Sequence, residues 1–181
     1  MANIGLFYGT QTGTTMSVAD MIARAFNGHI TRVAEIVSPL QPEELLQHDA
    51  LILGASTWGD GELPDSLQDW FDAFDRIDLT GKTVALFSLG DQTGYPTHFC
   101  SAMGTLYEKV VERGATVVGF THRDGYDFSE SHALVDGYLC GLALDEVNQP
   151  HMTDERITNW VSFVWPYLSG EVVQEQAEAS L

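Results

Sequence analysis

Residues 5–17 read GLFYGTQTGTTMS, an apolar run that breaks at Gly9 into glycines and threonines and then opens a helix. The helix shows in Val18, Met21, Ile22, Ala25 and Phe26, spaced i, i+3, i+4, i+7 and i+8. A buried strand that turns through glycine into a helix presents free backbone N–H groups, and an anion fits that helix start. The hydroxyls of Thr10, Thr12, Thr14 and Thr15 stand beside those groups. Two nucleotide loops are excluded by spacing. A triphosphate loop needs four residues between its glycines and then lysine, whereas three residues separate Gly9 from Gly13 and Thr14 follows. The dinucleotide pattern G-x-G-x-x-G does not fit either. The equipment suits a monophosphate that is anchored and not transferred, because nothing here would hold Mg²⁺ or neutralise a phosphoryl-transfer transition state.

Outward from this turn, strand and helix signals alternate. NIGLFYG (3–9), DALILGAS (49–56), KTVALFSLGD (82–91) and ATVVGF (115–120) are apolar runs of strand length, and HITRVAEI (29–36) alternates weakly. Between them, Pro42 opens a short helix in PEELLQ (42–47), and Leu67, Trp70, Phe71, Phe74 and Ile77 form a helical stripe. Phe99, Met103, Leu106 and Val110 form another. The last helix starts at a capping signal, Thr153 with Glu155 and Arg156 behind it, and buries Ile157, Trp160, Val161, Val164 and Leu168. Apolar strands separated by amphipathic helices predict an α/β three-layer sandwich with a five-stranded parallel sheet. The doubly wound order 2-1-3-4-5 fits, with the ligand at the carboxyl ends of strands 1, 3 and 4. The polar stretch THRDGYDFSESHALVDGYL (121–139) separates ATVVGF from CGLALD (140–145), so the fifth strand is expected to be interrupted by an insertion. Residues 1–169 then form one domain, and 170–181 read as a frayed tail.

The 181 residues suffice for one full hydrophobic core. No window reaches the length of a membrane span and no secretory signal opens the chain, which makes cytoplasmic residence the expectation. Two cysteines, Cys100 and Cys140, are too few for a disulfide framework or a cluster and read as packing. Eight basic against 26 acidic residues give a net charge of −18, which argues against nucleic acid or an anionic lipid surface. It suits solubility and, as the sharper reading, docking onto basic partners.

The ends of strands 3 and 4, ASTWGDGELPD (55–65) and SLGDQTGYPTHF (88–99), each put one large aromatic, Trp58 and Tyr95, in a glycine-rich loop. Two flat side chains at adjacent strand ends make a slot for a planar ring beside the phosphate loop. These segments resemble the flavodoxin family, of the long-chain kind, over nearly the whole chain. GLFYGTQTG (5–13) is similar to the family's FMN-phosphate loop, STWGDGEL (56–63) to its first flavin loop and GDQTGYP (90–96) to its second. DGYDFSES (124–131) and GLALDEVNQP (141–150) resemble the long-chain insertion and the strand that resumes after it.

The resemblance implies a flavodoxin-like fold and noncovalent FMN. Thr10, Gln11, Thr12, Gly13, Thr14 and Thr15 would hold the phosphate, and Ser56 and Thr57 would follow the ribityl chain. Trp58 and Tyr95 would flank the isoalloxazine. Gly59 and Gly61 belong to the first loop, Leu89, Gly90 and Asp91 to the second strand end, with Asp91 near the pyrimidine edge. His98 and Phe99 lie further along that second loop. The family's peptide that turns over on uptake of one electron corresponds to Gly59–Asp60, and glycine has the lowest barrier to such a turn. Two departures stand out: Thr14 where long-chain members commonly carry lysine, and His98 where a neutral amide is often found.

The implied function is a low-potential one-electron carrier, not an enzyme, with no catalytic residue and no metal. Asp60, Glu62, Asp65 and Asp91 crowd the two loops and disfavour added negative charge. The implied partners are an NAD(P)H-dependent flavodoxin/ferredoxin reductase and redox acceptors with basic docking surfaces, met by a monomer. The alternative, an FMN-dependent NAD(P)H-quinone reductase of similar fold, would need a nicotinamide surface that the sequence does not display. A phosphoacceptor signalling domain would need acidic residues where GTQTG and ASTWG stand.

Overall fold

The computed structural model describes residues 2–172, so the tail expected over 170–181 lies from residue 173 onward outside the described residues. Five parallel strands carry the order read from the sequence. They are β1 (Ile4–Gly9), β2 (Ile30–Glu35), β3 (Ala50–Ser56), β4 (Thr83–Leu89) and β5 (Thr116–Val118), arranged β2-β1-β3-β4-β5. The fifth position is split. Leaving β5, the chain forms a two-residue hairpin, β6 (Leu134–Val135) and β7 (Tyr138–Leu139), then resumes beside β4 as β8 (Leu142–Leu144). The helices are α1 (Thr14–Ala25), α2 (Asp65–Trp70), α3 (Ser101–Glu112) and α4 (Thr153–Leu168).

Period-two alternation divides the sheet into two buried faces. Ile4, Leu6, Ile52, Ala85 and Phe87 pack beneath α1 and α4, with Val18, Ile22, Trp160 and Val164. Phe7, Leu51, Leu53, Val84 and Leu86 face the other way, against Leu67, Phe74, Met103 and Leu106. Both faces of every central strand are covered, which is why those strands read as unbroken apolar runs.

Four local expectations need correction. PEELLQ is a 3₁₀ turn, not an α-helix, closed by reciprocal bonds between Gln41 and Glu44. The stripe from Leu67 to Ile77 is not one helix either: α2 ends at Trp70 and Phe71–Arg76 continues as 3₁₀. The Trp70 indole N–H is anchored on the Leu40 carbonyl at 2.9 Å, and the tighter winding brings Phe71 edge-on to Phe74. Phe99 is not on the third helix. Cys100 takes a left-handed backbone (φ 53°) just before α3 and turns Phe99 into the core, where it stacks on Phe128 at 5.0 Å. Thr153 does not cap α4; it is the first helical residue, and its hydroxyl bonds the Glu146 carboxylate.

Among the described residues no helix is long and apolar enough to cross a membrane.

Candidate functional site

Parallel register brings three strand ends level: Gly9 pairs with Ala55, and Ser56 with Leu89. The strand order reverses at β1, which has β2 on one side and β3 on the other, so the loops after β1, β3 and β4 gather around one crevice. A cleft of about 230 Å³ lies there, lined by Thr12, Thr14, Ser56, Thr57, Trp58, Gly59, Leu89, Gly90, Asp91 and Tyr95. Ten of the residues singled out from the sequence therefore meet in one place. Glu146 and Val147, from the loop after β8, complete the lining. The pattern after β8 carried no ligand signal, and only the return of that strand beside β4 brings these two residues to the crevice.

The turn between β1 and α1 is built for an anion. Gly13 has φ 90°, a left-handed value that costs a residue with a Cβ, and it stands at the N-terminus of α1 with no side-chain cap. Among the described residues no backbone acceptor takes the N–H of Thr14, Thr15 or Met16. The first turn of α1 holds no acid that would compete for those groups. The Thr10 hydroxyl braces the turn by accepting the Gly13 N–H at 3.0 Å, and the Thr12 and Thr14 hydroxyls lie 3.4 Å apart. Thr15 is 1% exposed, yet its hydroxyl has no hydrogen-bond partner among the described residues. A buried hydroxyl left without a partner costs about 1–3 kcal/mol, and an acceptor at this turn would relieve that cost. Thr10, Gln11, Gly13 and Thr15 do not line the cleft itself but form the turn at its end.

The first loop is a tight turn. The Trp58 carbonyl accepts the N–H groups of Gly61 at 3.0 Å and Glu62 at 2.7 Å, and the Trp58 N–H returns to the Glu62 carbonyl at 2.9 Å. Gly59 has φ 47° at the first central position, whereas Asp60 is not in the positive-φ region, the arrangement of a type II′ turn that favours glycine there. The Gly59 carbonyl accepts no hydrogen bond among the described residues. The hydroxyls of Ser56 and Thr57 are already engaged. Ser56 accepts the Trp58 indole N–H at 2.7 Å, and Thr57 takes the Ala102 N–H at 3.2 Å at the start of α3. Ser56 thus orients the tryptophan, and Thr57 ties the loop to α3.

In the second loop, Tyr95 is 51% exposed. An aromatic ring left half in water on a cleft wall is available to a planar ligand. Asp91 accepts the N–H groups of Gly94 at 2.7 Å and Thr93 at 3.1 Å and the Asn148 amide at 2.8 Å. The Gly94 bond, with help from Asn148 and Thr93, holds its carboxyl below the usual carboxylate range, so the cleft wall is anionic at neutral pH. Gly61 and His98 do not line the cleft. They face an adjoining, larger and more polar cavity of about 490 Å³ that has no aromatic wall. There His98 Nε2 is 3.9 Å from the Asp60 carboxylate. The Phe99 side chain is fully buried and does not line the cleft itself; it packs behind Gly90, which does. The two cysteines are buried. Burial pushes the Cys140 thiol up to about 12 and the Cys100 thiol higher still, which keeps both protonated.

Known proteins share this arrangement. The family model described as Flavodoxin matches residues 6–160. A flavodoxin of Synechocystis is 44% identical over 93% of this chain and 99% of its own length. One of Nostoc is 45% identical over 88% of this chain and 93% of its own. A solved structure of Fusobacterium nucleatum flavodoxin bound to flavin mononucleotide superposes with a TM-score of 0.87 at 35% identity, covering 92% of this chain and 99% of that one.

Proposed function

The chain belongs to the flavodoxin family, and from that premise we propose that it holds FMN noncovalently in the cleft and carries single electrons between redox proteins. The observation that carries this reading is the buried, partnerless hydroxyl of Thr15 beside the free N–H groups of Thr14 and Met16. Together they supply donors where a phosphate would otherwise be short of them, and no lysine is needed. The fit extends along the cleft. Trp58, fixed by Ser56, and half-exposed Tyr95 offer flat faces to a ring system, and Gln11, Thr12 and Thr14 edge the phosphate turn. When bound, FMN supplies the one-electron chemistry; the protein sets its potential.

The residues' parts follow from their chemistry. Thr10 and Gly13 shape the turn that binds the phosphate. Asp91 keeps a negative charge on the cleft wall, and Asp60, Glu62 and Asp65 add more on the first loop side, so extra negative charge within the cleft is disfavoured and the carrier works at low potential. The Gly59 carbonyl, with no partner to hold it, leaves the Gly59–Asp60 peptide free to turn. Leu89 and Gly90 close the cleft from the end of β4, and Gly61 and His98 act from the neighbouring cavity.

We further infer that the partners are an NAD(P)H-dependent flavodoxin/ferredoxin reductase and acceptors with basic rims, that the carrier acts as a monomer, and that it works in the cytoplasm. The charge of −18 supports the first point, since opposite charge steers the short-lived encounters of electron carriers. Mass spectrometry of cofactor released from the purified protein tests the central reading. One FMN per chain is expected; FAD, or a colourless protein that ignores added FMN, overturns it. Steady NADH oxidation by the protein alone would make it a reductase instead.

A further inference from the structure

A groove beside the broken fifth strand shares no lining residue with the cleft. β5 pairs with β4 over Thr83–Ala85 and β8 over Phe87–Leu89, so the strand partner lapses at Leu86. Beside it Leu142 and Trp160 are both buried, the latter fixed by an indole N–H bond to the Gly119 carbonyl at 2.9 Å. They floor a cavity of about 400 Å³, with Phe120 on the insertion side and Phe163 on α4 as walls. Phe163 is 52% exposed. A second cavity of about 390 Å³ continues the groove past the same two rings toward Tyr138.

Arg156 lines the same cavity. Its guanidinium carbon sits 4.1 Å from the centre of the Tyr126 ring, and Nη2 donates to Gln149 Oε1 at 2.8 Å and to the Gly125 carbonyl at 3.4 Å. Nη1 is buried and has no hydrogen-bond partner among the described residues. No acidic side chain among the described residues pairs with this arginine. That is unexpected where acids outnumber bases 26 to 8, and Asp124 lines the cavity without pairing either. A buried charged donor without an acceptor is costly, and a carboxylate answers it with a strong, charge-assisted bond.

We propose that this groove is a second binding site and that its ligand is a flat aromatic carboxylic acid. The ring lies between Phe120 and Phe163 over Trp160 and Leu142, and the carboxylate pairs with the Arg156 guanidinium that lines the cavity. A single negative charge suits the site better than a phosphate, because the chain's −18 repels each further charge. The volume lies within the usual range for small-molecule sites.

The test uses the cofactor-loaded protein with 2-naphthoate and its neutral isostere 2-naphthamide, followed by saturation-transfer NMR and calorimetry. The acid should bind and the amide should bind about tenfold or more weakly, the scale of one charge-assisted bond. Arg156→Gln should erase that preference, and Phe163→Ala, at an exposed helix position, should weaken both ligands. The acid-versus-amide comparison needs no change at the arginine, so it decides even where Arg156→Gln does not fold. Equal binding of acid and amide, no binding of either, or an undiminished preference in a folded Arg156→Gln overturns the proposal.

Discussion

Thr15→Val should move two quantities in opposite directions. The residue is 1% exposed and its hydroxyl has no hydrogen-bond partner among the described residues. Valine has the same shape and the same β-branching, so helix α1 should be little affected. Removing a buried hydroxyl that lacks a partner relieves its desolvation cost, and the cofactor-free protein should gain about 1–3 kcal/mol. With FMN the sign reverses. A hydrogen bond to a charged group is worth about 1.5–3 kcal/mol, which makes the dissociation constant rise about tenfold to a hundredfold. Thr10→Val serves as the contrast, because its hydroxyl already accepts the Gly13 N–H at 3.0 Å. That change should destabilise the cofactor-free turn. Urea denaturation of each cofactor-free variant, with FMN titration followed by quenching of flavin fluorescence, gives both numbers. A Thr15→Val protein that loses stability without FMN, or that binds FMN as tightly as before, refutes the assignment of this hydroxyl to the phosphate.

Three further outcomes follow from the geometry. Tyr95→Ala should weaken FMN by roughly 1–3 kcal/mol, the scale of one stacked aromatic, and an unchanged dissociation constant would remove Tyr95 from the site. Electron transfer to a basic partner should slow steeply as salt shortens the screening length from about 30 Å at 0.01 M to about 10 Å at 0.1 M, and Glu62→Lys or Asp65→Lys should flatten that dependence; rates that stay level across the series would leave acidity a matter of solubility. Burial, followed by the charges of Lys82 and Arg32, holds His48 below its ordinary value despite Asp49. Between its folded value and about 6.5 the unfolded chain binds the extra proton, so stability should rise with pH through that window and fall on acidification. His48→Gln should lose this slope in denaturation curves taken from about pH 5 to about pH 8.

Much of the fold was legible because the central strands are covered on both faces and cannot hide their apolar runs. The order 2-1-3-4-5, the interrupted fifth strand and the crevice at three strand ends all follow from that pattern. Helix details were less legible, since they depend on single anchored side chains. The Trp70 bond to Leu40 and the left-handed Cys100 end or delay helices whose apolar spacing runs on unbroken. At the site, residue types showed which side chains gather but not how their hydroxyls are spent. Ser56 and Thr57 line the cleft, but only the fold shows that their oxygens also accept from Trp58 and from the start of α3. Spacing also could not separate His98, which faces the neighbouring cavity, from Tyr95, which lines the cleft.

Asp145 shows how the least legible residue can govern the cleft. It is fully buried, and a buried carboxylate is tolerated only when its oxygens are satisfied. It accepts the N–H groups of Gln92 and Val147, both at 3.1 Å, and of Asn148 at 2.9 Å. Asn148 then passes its amide on to Asp91 at 2.8 Å, and the Gln92 side chain accepts the Asp127 N–H from the insertion. One charge therefore fixes the second loop, the loop after β8 and the insertion to each other, so a cofactor would find that wall already ordered. The first loop is held differently: Trp58 and Glu62 exchange backbone bonds, the Gly61 N–H joins them at the Trp58 carbonyl, and among the described residues the Gly59 carbonyl accepts no hydrogen bond. If the Gly59–Asp60 peptide turns as proposed, a cleft with one wall clamped would keep a cofactor's position while answering a change in its charge. That combination suits a carrier whose charge alternates with every electron it takes and gives.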